Sequence, residues 1–253
     1  MRYEDLYNEW KNDPEKFWIN AAQNIDWIKF PSFALDSSNI PFYKWFPDGL
    51  VNTCYNAVDR HVIKGKGEKT AIIYDSAIRS VKEKITYSQL LERVTKFAHA
   101  MSNAGITKGD RVIIYMPMIP EAIVSMLACS RIGAIHSVVF GGFASNELAV
   151  RIDDAKPKAI IAGSCGIEPT SIIPYKPLLD KAIEQANHKP NFCVIFQRDE
   201  LQAPLVSNRD YDWYEFQKSS SECTCIPVFG NDPLYILYTS GTTGQPKGVV
   251  RPT

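Results

Sequence analysis

The sequence lacks the features that mark membrane proteins and nucleic-acid-binding proteins. Its 253 residues carry 28 basic and 28 acidic side chains, so the net charge is zero and no basic excess is available for nucleic acid. No run of 18 apolar residues occurs, because Pro117, Pro120 and Glu121 interrupt the most apolar region. We therefore expect small-molecule substrates, with neither a nucleic acid nor a membrane as partner.

The amino terminus also lacks a targeting signal. It reads MRYEDLYNEW, which is acidic, has no apolar core and differs from arginine-rich, acid-poor transit peptides. We predict a cytoplasmic protein, or one of the mitochondrial matrix if a leader has been removed. The six cysteines form no C-x-x-C pair, and Cys223 and Cys225 have no histidine pair nearby to complete a zinc site. All six are predicted to be reduced and structural.

From residue 70 onward, short apolar segments alternate with helical patterns. Continuous apolar strands separated by helices are typical of βαβ units, so we predict an α/β fold with largely parallel sheets flanked by helices. One helix begins at Pro120, and its apolar face is predicted to be Ile119, Ile123, Met126 and Leu127. The strands are predicted at 71–74, 111–116, 137–140, 159–162, 192–196 and 234–238, and the helices at 86–103, 120–133, 145–155, 178–186 and 213–218.

The first part of the chain has a different character. It holds four of the five tryptophans and much irregular sequence, although Asp13 followed by Pro14 indicates a capped helix start. We predict that residues 1–60 form a segment that wraps around a domain formed by residues 61–253. That domain is predicted to be incomplete.

The most informative segment is 238–248, which reads YTSGTTGQPKG and follows an apolar strand. Its glycines permit turns in which backbone N–H groups converge on an anion, its hydroxyl groups add donors, and Lys247 adds a mobile positive charge. The Walker-type pattern G-x-x-x-x-G-K-[ST] is not met, since Pro246 and Gly248 stand at two of its positions. The segment predicts a phosphate-binding loop, and the alternative is a polar surface loop without a ligand.

This loop resembles the signature loop of adenylate-forming enzymes, the superfamily of acyl- and aryl-CoA synthetases. Further strings resemble its short-chain members, in particular the propionate-CoA ligases of the acetyl-CoA synthetase group, and the resemblance extends over residues 3–253. These strings are WFPDGL at 45–50, YNAVDRH at 55–61, YMPM at 115–118, IGAIHSVVFGGF at 132–143 and GVVRPT at 248–253.

The resemblance implies activation of a short carboxylic acid, propionate or acetate, by ATP. The products would be an acyl-adenylate and pyrophosphate, and coenzyme A would then displace AMP. ATP, Mg2+ and coenzyme A are the cofactors that this activity implies. Lys247 is implied as the catalytic residue of the loop, and the ATP phosphates are assigned to Thr239, Ser240, Gly241, Thr242, Thr243 and Gly244.

The resemblance also implies a coenzyme A site. Gly141 and Gly142 match a strand end beside the coenzyme A thiol, although a tight turn without a ligand explains a glycine pair equally well. The positions that carry arginines for the 3′-phosphate in acetyl-CoA members are here Glu168, Pro169, Thr170 and Ser171. Because Glu168 would repel a phosphate, either Lys176 and Lys181 replace the arginines or this contact is absent.

Other charged residues are predicted to have no catalytic role. The four histidines are scattered, and none has a serine or cysteine nucleophile at a recognisable spacing. Arg151, Asp153 and Asp154 are predicted to form the polar face of a helix.

Family members extend beyond this phosphate loop with the acid pocket, the adenine and ribose contacts and a mobile C-terminal domain. We therefore expect an amino-terminal fragment that does not ligate on its own, with residues 245–253 mobile unless a partner fixes them. The alternatives are a non-catalytic nucleotide-binding fragment and another adenylate-forming enzyme, such as a luciferase-like oxidase or a peptide synthetase module.

Overall fold

The structure, a computed structural model, describes residues 2–239 and 246–253. Its N-terminal part consists of short elements joined by irregular segments. These are α1 (Tyr3–Asn12), α2 (Pro14–Ala22), β1 (Leu35–Asp36), β2 (Lys44–Trp45), β3 (Leu50–Val51) and two π-helical turns at Tyr55–Asp59 and Val62–Lys66.

The remaining elements follow a strand–helix alternation. They are β4 (Thr70–Ser76), β5 (Val81–Thr86), α3 (Tyr87–Asn103), β6 (Arg111–Met116), α4 (Pro120–Arg131), β7 (Ile135–Phe140), α5 (Ser145–Ala155), β8 (Ala159–Gly163), β9 (Cys165–Ile167), β10 (Ile172–Pro174), α6 (Tyr175–Gln185), β11 (Phe192–Phe196), β12 (Asp210–Asp212), α7 (Trp213–Phe216), β13 (Val228–Phe229), β14 (Pro233–Thr239) and β15 (Lys247–Pro252).

The largest sheet contains seven strands within the described residues, in the order β12–β11–β8–β6–β7–β14–β15. Each neighbouring pair is parallel except β14 and β15, which are antiparallel. The predicted α/β fold with a largely parallel sheet is confirmed. The carboxyl ends of the parallel strands lie at one edge of the sheet, where ligands bind in open α/β sheets.

Strand β6 shows how the sheet is buried on both faces. Val112, Ile114 and Met116 belong to the core between the sheet and helices α3 and α4, whereas Ile113 and Tyr115 belong to the core beneath α5 and α6. Because side chains alternate along a strand, an unbroken apolar run supplies both cores at once. The continuous apolar pattern that predicted this strand therefore has a direct structural cause.

Helix caps fix two of the predicted helix starts. The Asp13 side chain accepts a hydrogen bond from the Lys16 amide at 3.0 Å, with Pro14 at the first helical position. Thr86 and Gln89 form a reciprocal capping box at the start of α3. In each case a side chain satisfies a backbone donor that the helix leaves free, which is why the sequence located these ends correctly.

Two expectations about local packing are wrong. Strand β4 lies outside the parallel sheet and pairs with β5 as an antiparallel hairpin. The most buried face of α4 includes Val124, Ala128 and Cys129, whereas Ile123 and Met126 are only half-buried. Helix α4 packs against both the sheet and α3, so small residues occupy the close contacts and the larger ones border them.

The carboxyl-terminal residues also differ from expectation. Residues 247–252 form β15, which pairs with β14 along its length. The predicted mobility of this segment is therefore wrong for β15, because the antiparallel ladder holds its backbone. Gln245, which the same expectation included, lies outside the described residues.

The N-terminal segment is attached to the rest of the chain through strand pairing and one buried amide. Strand β3 pairs with β13. The Asn52 side-chain amide donates to the carbonyl oxygens of Ser130 and Arg131 at 3.1 Å and of Ile226 at 2.9 Å. The division of the chain at residues 60 and 61 stays a prediction. No helix in residues 2–239 or 246–253 has the length and apolar character needed to cross a membrane.

Candidate functional site

The predicted site lies where two adjacent strands end. Strand β7 ends at Phe140 and its parallel neighbour β14 ends at Thr239, so both carboxyl ends lie at the same edge of the sheet. Gly141 and Gly142 follow the first strand, and the predicted phosphate loop follows the second. Within that loop Ser240, Gly241, Thr242, Thr243 and Gly244 lie outside the described residues.

Thr239 and Lys247 form the base of the predicted loop. They are partners in the antiparallel register of β14 and β15, and both are exposed. Thr239 and Lys247 thus lie opposite each other where the two strands end, on either side of the residues that are predicted to form the loop. A hydroxyl donor and an ammonium donor consequently stand at the two ends of one short loop, which suits an anion with several oxygens.

A cleft of about 430 Å³ opens beside this base. Its walls come from the end of β7, from α5 and from the end of β14, and they include Phe140, Phe143, Arg151, Tyr238 and Thr239. It combines aromatic surfaces with a cation and a few polar groups, which is the usual composition of a small-molecule site.

Arg151 is the charged group of this cleft that sequence reasoning missed. Its guanidinium lies 4.9 Å from the ring centre of Phe143 and 5.4 Å from that of Tyr238, and its Nη1 donates to Glu147 at 3.0 Å. The residue is 8% exposed, so the predicted polar face of the helix is buried at this position. No local pattern reveals this, because the aromatic ring of Tyr238 comes from a distant part of the sequence.

Helix α5 also contacts the base of the loop through Asp154. The Tyr238 hydroxyl donates to Asp154 at 2.7 Å. Burial raises the pKa of Tyr238 above its ordinary value, and the hydrogen bond to the carboxylate raises it further, so the phenol is a donor at neutral pH. Asp154, predicted as part of a polar face, therefore positions β14 relative to α5.

The glycine pair is explained by close packing. A Cβ atom at Gly141 would lie 2.5 Å from the Tyr175 ring and 2.9 Å from the Met116 carbonyl carbon, and Gly142 has a φ of +100°. The Gly142 amide donates to the Tyr115 hydroxyl at 3.2 Å, and burial raises the pKa of Tyr115 to about 12. The turn requires glycine for structural reasons, and its role towards coenzyme A stays a prediction.

The segment predicted to meet the coenzyme A phosphate is an exposed turn. Glu168, Pro169, Thr170 and Ser171 form the tip of the β9–β10 hairpin, closed by a 2.9 Å bond from the Glu168 amide to the Ser171 carbonyl. The structure does not bring this turn into the cleft beside Thr239.

Of the two lysines considered as replacements for the family arginines, Lys176 is unsuited to bind a phosphate. It is 1% exposed, and its ammonium pairs with Asp180 at 2.6 Å and with Asp210 at 2.9 Å. Two carboxylates already neutralise its charge, and its side chain is enclosed by protein. Lys181 is exposed on the same helix.

The histidines show one structural role clearly. His136 is buried on β7 with its ring 5.6 Å from that of Tyr235, and burial lowers the pKa of His136 to about 4. Its Nδ1 has no hydrogen-bond partner within the described residues. His99 contacts Ser221 at 3.0 Å, a pairing that the spacing did not show, but the contact is exposed and lies away from the cleft.

A larger cleft of about 820 Å³ lies elsewhere, between α3, α4 and α7. It is lined largely by polar and charged side chains, including Glu83, Arg93, Glu121 and Tyr214. No predicted site residue lines it within the described part of the chain. Size alone therefore does not identify the candidate site, and the position at the strand ends does.

The match to known families agrees with this geometry. The chain belongs to the AMP-binding enzyme family, whose model matches residues 59–253, and residues 3–57 match the acetyl-coenzyme A synthetase N-terminus. The resemblance to short-chain members of the adenylate-forming superfamily is confirmed.

Individual relatives cover nearly all of this chain. It is 52% identical over 95% of its length to mouse acyl-CoA synthetase short-chain family member 3, mitochondrial, and covers 36% of that protein. It is 44% identical over 99% of its length to the propionate--CoA ligase of Escherichia coli strain K12, covering 40% of it. The chain thus spans little more than a third of the length of the curated relatives it matches.

A solved structure shows the same fold. The acetoacetyl-CoA synthetase from Streptomyces lividans superposes with a TM-score of 0.84 at 21% identity, over 96% of this chain and 37% of that one.

Proposed function

We propose that a protein carrying this chain activates a short-chain carboxylic acid, propionate or acetate, with ATP and transfers the acyl group to coenzyme A. The observation that carries the proposal is the pairing of Thr239 with Lys247 at the end of β14, beside the cleft that contains Arg151, in a chain of the AMP-binding enzyme family. The names of the relatives support the substrate class.

In this proposal the loop holds the phosphates of ATP while the acid attacks the α-phosphate. Lys247 supplies an ammonium group to the charge that develops on the phosphate oxygens, and Thr239 supplies a hydroxyl donor. Arg151 is held in place by Phe143, Tyr238 and Glu147, and the Glu147 carboxylate balances part of its positive charge. The further phosphate contacts are assigned to Ser240, Gly241, Thr242, Thr243 and Gly244.

The fit to Mg2+ is poor in this chain. Among the described residues that line the cleft, Glu147 is the one carboxylate, and it is already bound to Arg151. Mg2+ prefers carboxylate and phosphate oxygens in octahedral geometry, so we derive no step through the metal here.

Coenzyme A is assigned to Gly141, Gly142 and the turn formed by Glu168, Pro169, Thr170 and Ser171. The glycine turn lies next to the cleft-lining Phe140 and Phe143, which supports an approach of the thiol from that side. The acidic turn gives weaker support to a coenzyme A site, since Glu168 is exposed and repels a phosphate. A cytoplasmic location is proposed from the sequence alone.

The test is ATP–pyrophosphate exchange, measured on this chain and on the longest reading frame that contains it. We expect the longer protein to exchange label only when acetate or propionate is present, and this chain alone to be inactive. Exchange that does not depend on the acid would contradict the ligase proposal. ATP binding by the chain with no exchange in either protein would instead support the non-catalytic nucleotide-binding alternative.

A further inference from the structure

Two thiols that are far apart in sequence meet outside the cleft beside Thr239. Cys54 precedes the first π-helical turn, and Cys225 lies in the extended segment before β13. Their sulfur atoms and a carboxylate oxygen of Asp59 all lie within 4.8 Å of one another. Sequence reasoning considered only Cys223 and Cys225, because nothing local links either residue to Cys54.

Arg131 completes this cluster. Its guanidinium binds Asp59 through two bonds of 2.8 and 2.9 Å, and the same Nη1 lies 3.6 Å from the Cys54 sulfur. A hydrogen bond from the Cys225 thiol, together with the Arg131 charge, lowers the pKa of Cys54 below its ordinary value. The stabilised thiolate is that of Cys54, whereas the hydrogen bond to Cys54 and burial raise the pKa of Cys225. Cys225 therefore becomes nucleophilic when its proton passes to Cys54 along the hydrogen bond between the two sulfur atoms.

The two cysteines differ in their access to solvent. Cys54 is completely buried, whereas Cys225 is half-buried and lines a cleft of about 530 Å³ together with Asp59 and Arg131. A small oxidant can thus reach the Cys225 sulfur from solvent, and Cys54 stands behind it. This arrangement suits a reaction in which Cys225 is oxidised first and Cys54 then forms a disulfide with it.

The same atoms suit a metal ion less well. A bound cation would lie beside the Arg131 guanidinium, which already occupies both oxygens of Asp59. Binding would require this buried ion pair to separate. Disulfide formation leaves the pair intact and adds no charge to the site.

We propose that Cys54 and Cys225 form an oxidant-sensitive dithiol, which hydrogen peroxide converts into a disulfide. Cys225 attacks one peroxide oxygen, the O–O bond breaks, and the leaving oxygen takes a proton and departs as water. Cys54 then attacks the Cys225 sulfur, the S–O bond breaks, and a second water leaves. Two thiols and one peroxide thus give one disulfide and two waters, after side-chain rotation shortens the sulfur separation to about 2.05 Å.

The bond would join residues 3–57, which match the acetyl-coenzyme A synthetase N-terminus, to residues 59–253, which match the AMP-binding enzyme. It would therefore fix the N-terminal segment covalently to the part of the chain that carries the phosphate loop. Because the linked residues are far apart in sequence, we expect a rise in melting temperature of about 5–10 °C.

The test is treatment of the purified protein with hydrogen peroxide, followed by alkylation in denaturant, trypsin digestion and mass spectrometry. Trypsin places Cys54 in the peptide 45–60 and Cys225 in the peptide 219–247, which also contains Cys223. We expect a cross-link between these peptides that dithiothreitol reverses. Cys223→Ser should retain the cross-link and Cys225→Ser should abolish it, which separates the two cysteines.

Internal controls accompany these variants. Cys129 and Cys193 are buried, and burial raises their pKa, so both should remain reduced and fully alkylated after unfolding. A cross-link within the peptide 219–247, or oxidation of Cys225 to the sulfinic acid without a cross-link, would overturn the proposal. Retention of one equivalent of zinc that blocks oxidation would show a metal site instead.

Discussion

Asp154 contacts both strands at the base of the predicted phosphate loop. Its carboxylate accepts a 2.7 Å hydrogen bond from the Tyr238 hydroxyl on β14, and a Cβ at Gly248 on β15 would lie 3.2 Å from the same oxygen. The last turn of α5 thus lies against the two strands that lead into and out of the loop. We infer that Asp154 is a positioning residue for Thr239 and Lys247.

Tyr238→Phe tests this inference. Removing the hydroxyl should lower the free energy of unfolding by about 0.5–1.5 kcal/mol, the usual contribution of one hydrogen bond. The double variant with Asp154→Asn should lose less than the sum of the two single variants, because the two side chains share one interaction. Urea denaturation measures this coupling, and Tyr211→Phe, at an exposed tyrosine on the edge strand β12, is the control. Strictly additive losses of unfolding free energy would contradict the proposed interaction between Tyr238 and Asp154.

Lys247→Ala should slow adenylate formation without unfolding the protein. The side chain is exposed at the start of β15, so its loss removes a charge and little packing. We expect a loss of about 2–4 kcal/mol of transition-state stabilisation if Lys247 behaves as an oxyanion donor. Pyrophosphate exchange in the longer protein measures it, with Lys84→Ala on β5 as a charge-matched control. Equal rates for both variants would refute the assigned role.

Asp59→Asn should be strongly destabilising. Asp59 and Arg131 form a buried pair, and the substitution leaves the guanidinium without its counter-charge, at a cost of about 3–5 kcal/mol. Asp75→Asn, at the exposed pair with Lys82, should cost at most about 1 kcal/mol. Thermal and urea unfolding give both values. A loss at Asp59 no larger than that at Asp75 would contradict the burial of the pair.

The pH dependence of stability should include a contribution from His136. Its pKa is lowered to about 4 in the folded protein, while an unfolded histidine titrates near 6.5. Between these values the unfolded state binds more protons, so stability falls as the pH decreases, by about 2 kcal/mol between pH 7 and pH 5. His136→Leu should reduce this dependence by that amount. An unchanged pH profile in His136→Leu would contradict the shift.

Gly141→Ala should destabilise the turn after β7. The added Cβ would overlap the Tyr175 ring and approach the Met116 backbone, with an expected cost of about 1–3 kcal/mol. Gly230→Ala is the matched control, since its nearest atom lies at 3.4 Å. Unfolding experiments should separate the two. If Gly141→Ala keeps full stability and only the KM for coenzyme A rises, the glycine serves the ligand rather than packing.

Local signals predicted much of the fold. The caps at Asp13 and Thr86 and the apolar run of β6 lie within a few residues of the elements they define, so the sequence located them well. The short strands β1, β2, β3, β9, β10, β12 and β13 have two or three residues each, and each exists through pairing with another strand. Such pairings leave no periodic pattern in the sequence.

The candidate site likewise has one part that the sequence revealed and one part that it did not. The loop from Thr239 to Lys247 is recognisable because its glycines, hydroxyls and lysine are consecutive. Arg151 and Asp154 were missed because their partner Tyr238 lies 84 positions from Asp154. A helix that shows charged residues at its end usually presents them to solvent, and only the tertiary fold reveals that these residues contact a strand.

The Asn52 amide has a consequence for the order of events during protein synthesis. One of its acceptors, the Ile226 carbonyl, lies 174 positions downstream. At roughly 5–20 residues per second, a ribosome needs about 9–35 s to make that stretch. Throughout this time the amide lacks its last acceptor, so the attachment of the tryptophan-rich beginning of the nascent chain stays incomplete and that segment is open to chaperones.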